Sequence, residues 1–163
     1  MTDTFRTRLL QGDLLIGTMI TLTSPEVAEI MAEVGFDWLF LDAEHSVFEA
    51  REIQALLQAA GAAIPCVVRL PVAAEVPIKK ALDVGAAGII APQINSAAQA
   101  EQVVRLAKYA PDGTRGVGIG RASLWPETAR IRRRCQPAYR GYCAGRAYRR
   151  GAQRRGDCSG GRR

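Results

Sequence analysis

The sequence predicts an α/β fold, an incomplete (β/α)8 TIM-type barrel of about four to five βα units followed by a disordered basic tail. Three observations predict it. Short apolar, β-rich runs alternate with helical patterns between residues 14 and 109. Glycines stand where those helices should stop. Residues 132–163 contain no Leu, Ile, Val, Met or Phe.

The strands are expected at 14–20, 37–41, 65–70 and 88–91, and the helices between and after them at 25–34, 49–60, 76–84 and 97–109. Ser24-Pro25 combines an N-cap with a proline at the first helical position. Ser46 with Glu49, and Ser96 with Gln99, have the spacing of capping boxes. Gly35, Gly61 and Gly85 each follow a helical stretch, where the chain needs a positive φ to turn into the next strand. A faint repeat supports the alternation: Glu33-Val34-Gly35 leads into Trp38-Leu39-Phe40-Leu41, and Asp83-Val84-Gly85 leads into Gly88-Ile89-Ile90-Ala91. Strand starts near 14, 37, 65 and 88 give units of roughly 25 residues, whereas a closed eight-unit barrel takes about 250. The chain is therefore either a small open α/β sheet or half a barrel.

The tail favours the half-barrel. Residues 1–129 hold 10 Lys and Arg against 15 Asp and Glu, a net charge of −5. Residues 130–163 hold 12 Arg, no Lys and one acid, Asp157, a net charge of +11. A segment without aliphatic side chains cannot bury enough apolar surface to offset its ordering entropy. Arg, Gly, Ala and Cys without Lys is the composition of a GC-rich gene read out of frame. We hypothesise a frameshift near Ile131, dividing the chain into a partial barrel (1–131) and a non-matching tail (132–163); resequencing that returns an intact frame, matched by the native mass, removes the idea. The alternative for the tail is nucleic-acid or polyanion binding, with arginines on phosphates and Tyr139, Tyr142 and Tyr148 stacking on bases. No recognised nucleic-acid module accompanies them. Cys135, Cys143 and Cys158 match no zinc spacing, and Cys66, alone in an apolar run, reads as a buried inert thiol. With no apolar stretch of about 18 residues and no signal-peptide core, the expectation is a cytoplasmic protein with no membrane partner.

In parallel α/β folds the chemistry collects at the carboxyl ends of the strands. The second strand runs into Asp42-Ala43-Glu44-His45, which includes the single histidine of the chain. An imidazole can take a proton from a hydroxyl near neutral pH, and a nearby carboxylate would orient it; the same histidine could simply cap its loop. Arg69 ends the third strand, where its charge needs a partner: a substrate carboxylate, or a structural ion pair with Asp42 or Glu44. Gln93, after the fourth strand, can bond a ligand or the local backbone. Residues 111–121 form a glycine-rich segment that fits neither the P-loop nor the dinucleotide pattern. It reads as an active-site loop with Arg115 or Arg121 facing the mouth, or as a plain surface loop.

The run Gly35-Phe36-Asp37-Trp38-Leu39-Phe40-Leu41-Asp42-Ala43-Glu44-His45 is similar to the hallmark segment of the HpcH/HpaI aldolases, metal-dependent class II pyruvate aldolases. Val68-Arg69-Leu70-Pro71, Leu82-Asp83-Val84-Gly85-Ala86, Pro92-Gln93 and Arg115-Gly116-Val117-Gly118 come next in the family's order, so the resemblance runs from about residue 5 to Ile131. It implies cleavage of 4-hydroxy-2-oxo acids to pyruvate and an aldehyde by a homo-oligomer. It implies His45 as catalytic base, its basicity raised by Asp83 with Asp42 close by. Arg69 would hold the keto acid and its enolate, Gln93 would line the substrate site, and Glu44 would stand beside the water shell of a divalent metal (Mg, Mn or Co). The family's metal ligands lie on later strands in Gln-x-Glu and Gly-Pro-x-Asp-Leu contexts. Neither occurs here, so the metal has no protein ligand in this chain and an inactive aldolase is expected.

Overall fold

The structure of the protein, a computed structural model, describes residues 4–118 and Arg121. The expected tail at 132–163, with its proposed frameshift, cysteines and tyrosines, lies outside the described residues.

The alternation read from the sequence is present. Four strands, β1 (Gly17–Ile20), β2 (Trp38–Asp42), β3 (Cys66–Arg69) and β4 (Gly88–Ile90), pair in parallel in the order β1-β2-β3-β4. Each is followed by a helix: α2 (Pro25–Glu33), α3 (Ala50–Ala60), α4 (Glu75–Asp83) and α5 (Ala97–Ala107). A first helix, α1 (Phe5–Gln11), was not anticipated in the polar N-terminus. Thr4 caps it by accepting from the Thr7 N–H, and Gly12 ends it at φ 83°. Arg8 ties α1 to the sheet through Asp37 at 2.8 Å, and the Asp37 carboxylate also accepts from the Ile16 N–H.

Helix ends obey local chemistry, with two corrections. Ser24 caps α2 as expected, by accepting from the Val27 N–H. Helix α3 is instead capped by Glu49 in a reciprocal box with Glu52. Ser46 is already engaged: its hydroxyl donates to the Asp42 carbonyl and accepts from the Phe48 N–H, closing the turn after β2. At α5, Ser96 accepts from the Gln99 N–H, but the Gln99 side chain reaches back to accept from the Asn95 N–H, one residue before the cap. Gly35, Gly61 and Gly85 have φ values of 104°, 68° and 105°, in the region the turns require.

Residues alternate across the sheet. Ile20, Leu39, Leu41, Cys66 and Val68 face the helix layer, where they meet Ala28, Ile53, Leu56, Leu57, Ile78 and Ala81 in one buried core. Met19, Trp38, Phe40, Val67, Asp42 and Arg69 occupy the opposite face. The Trp38 indole lies across Gly17, so a Cβ there would meet the ring at 2.5 Å. Phe5 and Phe40 flank that indole, each with its ring centroid 6.0 Å away. Among the described residues no helix is long and apolar enough to cross a membrane.

Candidate active site

The register of β2 against β3 sets Asp42 directly opposite Arg69 at the carboxyl end of the sheet. Arg69 Nε donates to Asp42 Oδ1 at 2.9 Å and Nη2 to Oδ2 at 2.7 Å, the planar fork matching the carboxylate. Asp42 Oδ1 also accepts from the backbone N–H groups of Glu44 and His45. The Arg69 bonds hold the buried Asp42 carboxyl at about 2 against the opposing effect of burial, helped by those two N–H groups. The same pair raises the Arg69 guanidinium. Beneath it lies the Phe40 ring, 5.3 Å from the guanidinium carbon to the centroid. Phe40 is two residues before Asp42, on the same face of β2.

Glu44 extends the arrangement. Its Oε2 stands 3.3 Å from Arg69 Nε and 3.7 Å from His45 Nε2. Asp42, Arg69, Glu44 and His45 thus form one continuous chain of contacts on the rim. The ion-pair alternative for Arg69 is realised, with both Asp42 and Glu44. It leaves the ligand alternative open: of five guanidinium protons, two point at Asp42, and the side chain retains 25% exposure. The His45 side chain is 70% exposed, so its ring reaches solvent and any ligand at the mouth.

A cavity of about 470 Å³ adjoins this rim, lined by Pro71 and Val72 after β3, Pro92 and Gln93 after β4, and Gln99 and Gln102 of α5. Gln93 has φ 58°, and its carbonyl accepts from the Asn95 side chain. Arg69 and His45 do not line this cavity. Of the two α5 amides, Gln99 was read in the sequence only as the capping-box partner of Ser96, and Gln102 was not singled out.

Asp83 is the last residue of α4, with its side chain 31% exposed. Arg115 does not face the mouth: it pairs with Asp83 at 2.6 Å, lies 4.6 Å over the Tyr109 ring and is 7% exposed. Arg121 donates to the Leu57 carbonyl of α3. The glycine-rich segment comes after a helix, so it belongs to the opposite rim from segments that come after strands.

The donor set does not fit a divalent cation. Both Asp42 oxygens and the Glu44 carboxylate face Arg69, and the described residues contain no group of three His, Cys, Asp or Glu side chains suited to a metal.

Comparison with known proteins agrees with this layout. The chain is 39% identical over 125 residues to 4-hydroxy-2-oxovalerate aldolase of Novosphingobium aromaticivorans, covering 76% of this chain and 48% of that one. It is 42% identical over 128 residues to hydroxypyruvate/pyruvate aldolase of Pseudomonas aeruginosa, covering 77% and 48%. The chain spans about half the length of these curated relatives. Among solved structures, an HpcH/HpaI aldolase/citrate lyase family protein from Burkholderia cenocepacia superposes with a TM-score of 0.70 at 35% identity, over 76% of this chain and 51% of that one. The HpcH/HpaI aldolase of Desulfitobacterium hafniense gives 0.65 at 38% identity, over 70% and 45%. The four-stranded sheet is thus the front half of a barrel of this type. The family profile covers residues 15–141, ten residues past the expected boundary at 131, and on that match the chain belongs to the HpcH/HpaI aldolase/citrate lyase family.

Proposed function

We propose that this chain carries the proton-handling and oxo-acid-holding rim of a carbon–carbon lyase that cleaves 4-hydroxy-2-oxo acids to pyruvate and an aldehyde. The whole protein would act as a homo-oligomer in the cytoplasm. The observation that carries the reading is the unbroken contact chain Asp42–Arg69–Glu44–His45 at the carboxyl ends of two adjacent strands. The aldolase activities for which the relatives are named agree with it.

In this reading the unspent guanidinium protons of Arg69 bind the 2-oxo acid. His45 takes the proton of the 4-hydroxyl, the C3–C4 electron pair moves into the pyruvate enolate, and the aldehyde departs. Arg69 holds the negative charge that develops on the enolate oxygen, and protonation at C3 gives pyruvate. Glu44 stabilises the imidazolium formed on the way. Gln93 would contact the uncharged part of the substrate. The family's divalent cation finds no fitting donor set among the described residues.

The test is pyruvate binding to the 163-residue chain, monitored by ligand-observed NMR. Saturable binding is expected, weakened at least about tenfold in Arg69→Lys, which keeps the charge beside Asp42 but loses the fork. Undiminished binding in that variant would exclude Arg69 as the oxo-acid holder. With Mn²⁺ or Mg²⁺ and a 4-hydroxy-2-oxo acid, the chain alone is expected to release no pyruvate. Chelator-sensitive release abolished by His45→Ala would refute that inactivity while keeping the site.

A further inference from the structure

A guanidinium has two edges that can grip an anion with paired N–H groups. In Arg69 the side edge, Nε with one proton of Nη2, is taken by Asp42 at 2.9 and 2.7 Å. Glu44 Oε2 flanks that edge, 3.3 Å from Nε. The end edge is Nη1 with the second proton of Nη2. Among the described residues nothing accepts a hydrogen bond from Nη1. The guanidinium is planar, so whatever fixes its plane also fixes where the end edge points.

Asp42 does not fix that plane alone. Hydrogen bonds tolerate a broad spread of angles at an sp² oxygen, so a forked pair can still tilt about the line of its two acceptors. The Phe40 ring closes one face, with its centroid 5.3 Å from the guanidinium carbon. Trp38 braces that ring edge-on, the centroids 6.0 Å apart and the planes at 68°. The indole in turn occupies the space that a Cβ on Gly17 would need. Trp38, Phe40 and Asp42 alternate along one face of β2, and Arg69 stands opposite Asp42 on β3. An aliphatic side chain at position 40 would cover similar area but would turn no negative ring face toward the cation.

We infer that Phe40 is a positioning residue for the oxo acid, acting through Arg69: its ring holds the guanidinium plane so that the free end edge meets a carboxylate squarely. That role rests on Arg69 as the oxo-acid holder proposed above. Phe40 touches no reacting atom.

The test is the pyruvate dissociation constant of the 163-residue chain, by ligand-observed NMR, in wild type, Phe40→Leu, Phe40→Tyr, Arg69→Lys and the double variant Phe40→Leu, Arg69→Lys. Phe40→Leu is expected to weaken binding about three- to tenfold, and Phe40→Tyr, which keeps an aromatic face, to stay within about twofold. An ammonium has no plane for a ring to hold, so Phe40→Leu should add less than about twofold once residue 69 is lysine. A ring that served packing alone would cost the same factor in both backgrounds. Circular dichroism checks the fold of each variant, and Phe40→Met replaces Phe40→Leu if the leucine variant does not fold. Undiminished binding in Phe40→Leu, an equal loss in Phe40→Tyr, or an equal loss in the lysine background would each overturn the role of Phe40. A loss in Arg69→Lys without one in Phe40→Leu removes this role and leaves Arg69 as the holder, whereas no loss in Arg69→Lys removes both.

Discussion

Replacing Asp42 with asparagine keeps the shape of the rim and removes one charge. The carboxyl is held at about 2 against an ordinary value of 3.8, chiefly by the Arg69 hydrogen bonds. Converted at 1.36 kcal/mol per pH unit, that difference is roughly 2 kcal/mol of stability at neutral pH. The sign is set by the depressed value: the contribution is complete above pH 4 and is lost as pH falls from about 4 to about 2. Asparagine also turns an N–H donor toward one arm of the Arg69 fork, so the expected loss at pH 7 is about 2–3 kcal/mol, below the 3–5 typical of a fully buried pair because Arg69 reaches solvent. The assay is urea unfolding at pH 7, 4 and 2 for wild type and Asp42→Asn, monitored by circular dichroism. The gap between the two proteins should narrow by about 2 kcal/mol from pH 7 to pH 2, as wild-type Asp42 itself becomes neutral. A gap under roughly 0.5 kcal/mol at pH 7, or one that stays constant with pH, would refute this account of the rim.

The same structure sets expectations at four other places. Gly17→Ala places a methyl 2.5 Å from the Trp38 ring and is expected to cost about 1–3 kcal/mol, measured by the same unfolding assay. Burial pushes the Cys66 thiol up to about 11, so at pH 8 mapped alkylation should leave it unmodified in folded protein and label it in urea. Arg115→Met removes a buried guanidinium and leaves Asp83 partly solvated, for an expected loss of about 1–2 kcal/mol with pyruvate binding unchanged. The Arg-rich segment, net +11, should retain RNA without sequence preference and release it steeply as salt rises.

Much of this architecture is written in local patterns. The alternation of apolar runs located all four strands, and Ser24-Pro25, Gly35, Gly61 and Gly85 marked helix ends, because caps and positive φ are satisfied by neighbours in sequence. Asp42, Glu44, His45 and Arg69 were legible because the ends of parallel strands share one rim. Helix α1 was missed because its sequence is polar and it is anchored through tertiary contacts of Arg8 and Phe5. Strand β1 pairs only from Gly17, although Leu14 and Ile16 extend the apolar run, because hydropathy does not report where a partner strand begins. Arg115, read as facing the mouth or as part of a plain surface loop, stands beyond the end of α5 and pairs with Asp83 at the end of α4, a long-range contact that local pattern does not report. Phe40 beneath Arg69 was within reach, lying two residues before Asp42 on one face of a strand.

The grip of Asp42 on Arg69 also sets the terms on which an anion arrives. A free arginine side chain gives up about 1.5–2 kcal/mol of rotamer freedom when it is fixed. Here that loss belongs to folding, since the fork is already clamped by a buried carboxylate and backed by an aromatic ring. An incoming oxo acid meets a cation standing in place and need not recruit a wandering one, so the rim is preorganised for small ligands that have few atoms with which to offset such a cost.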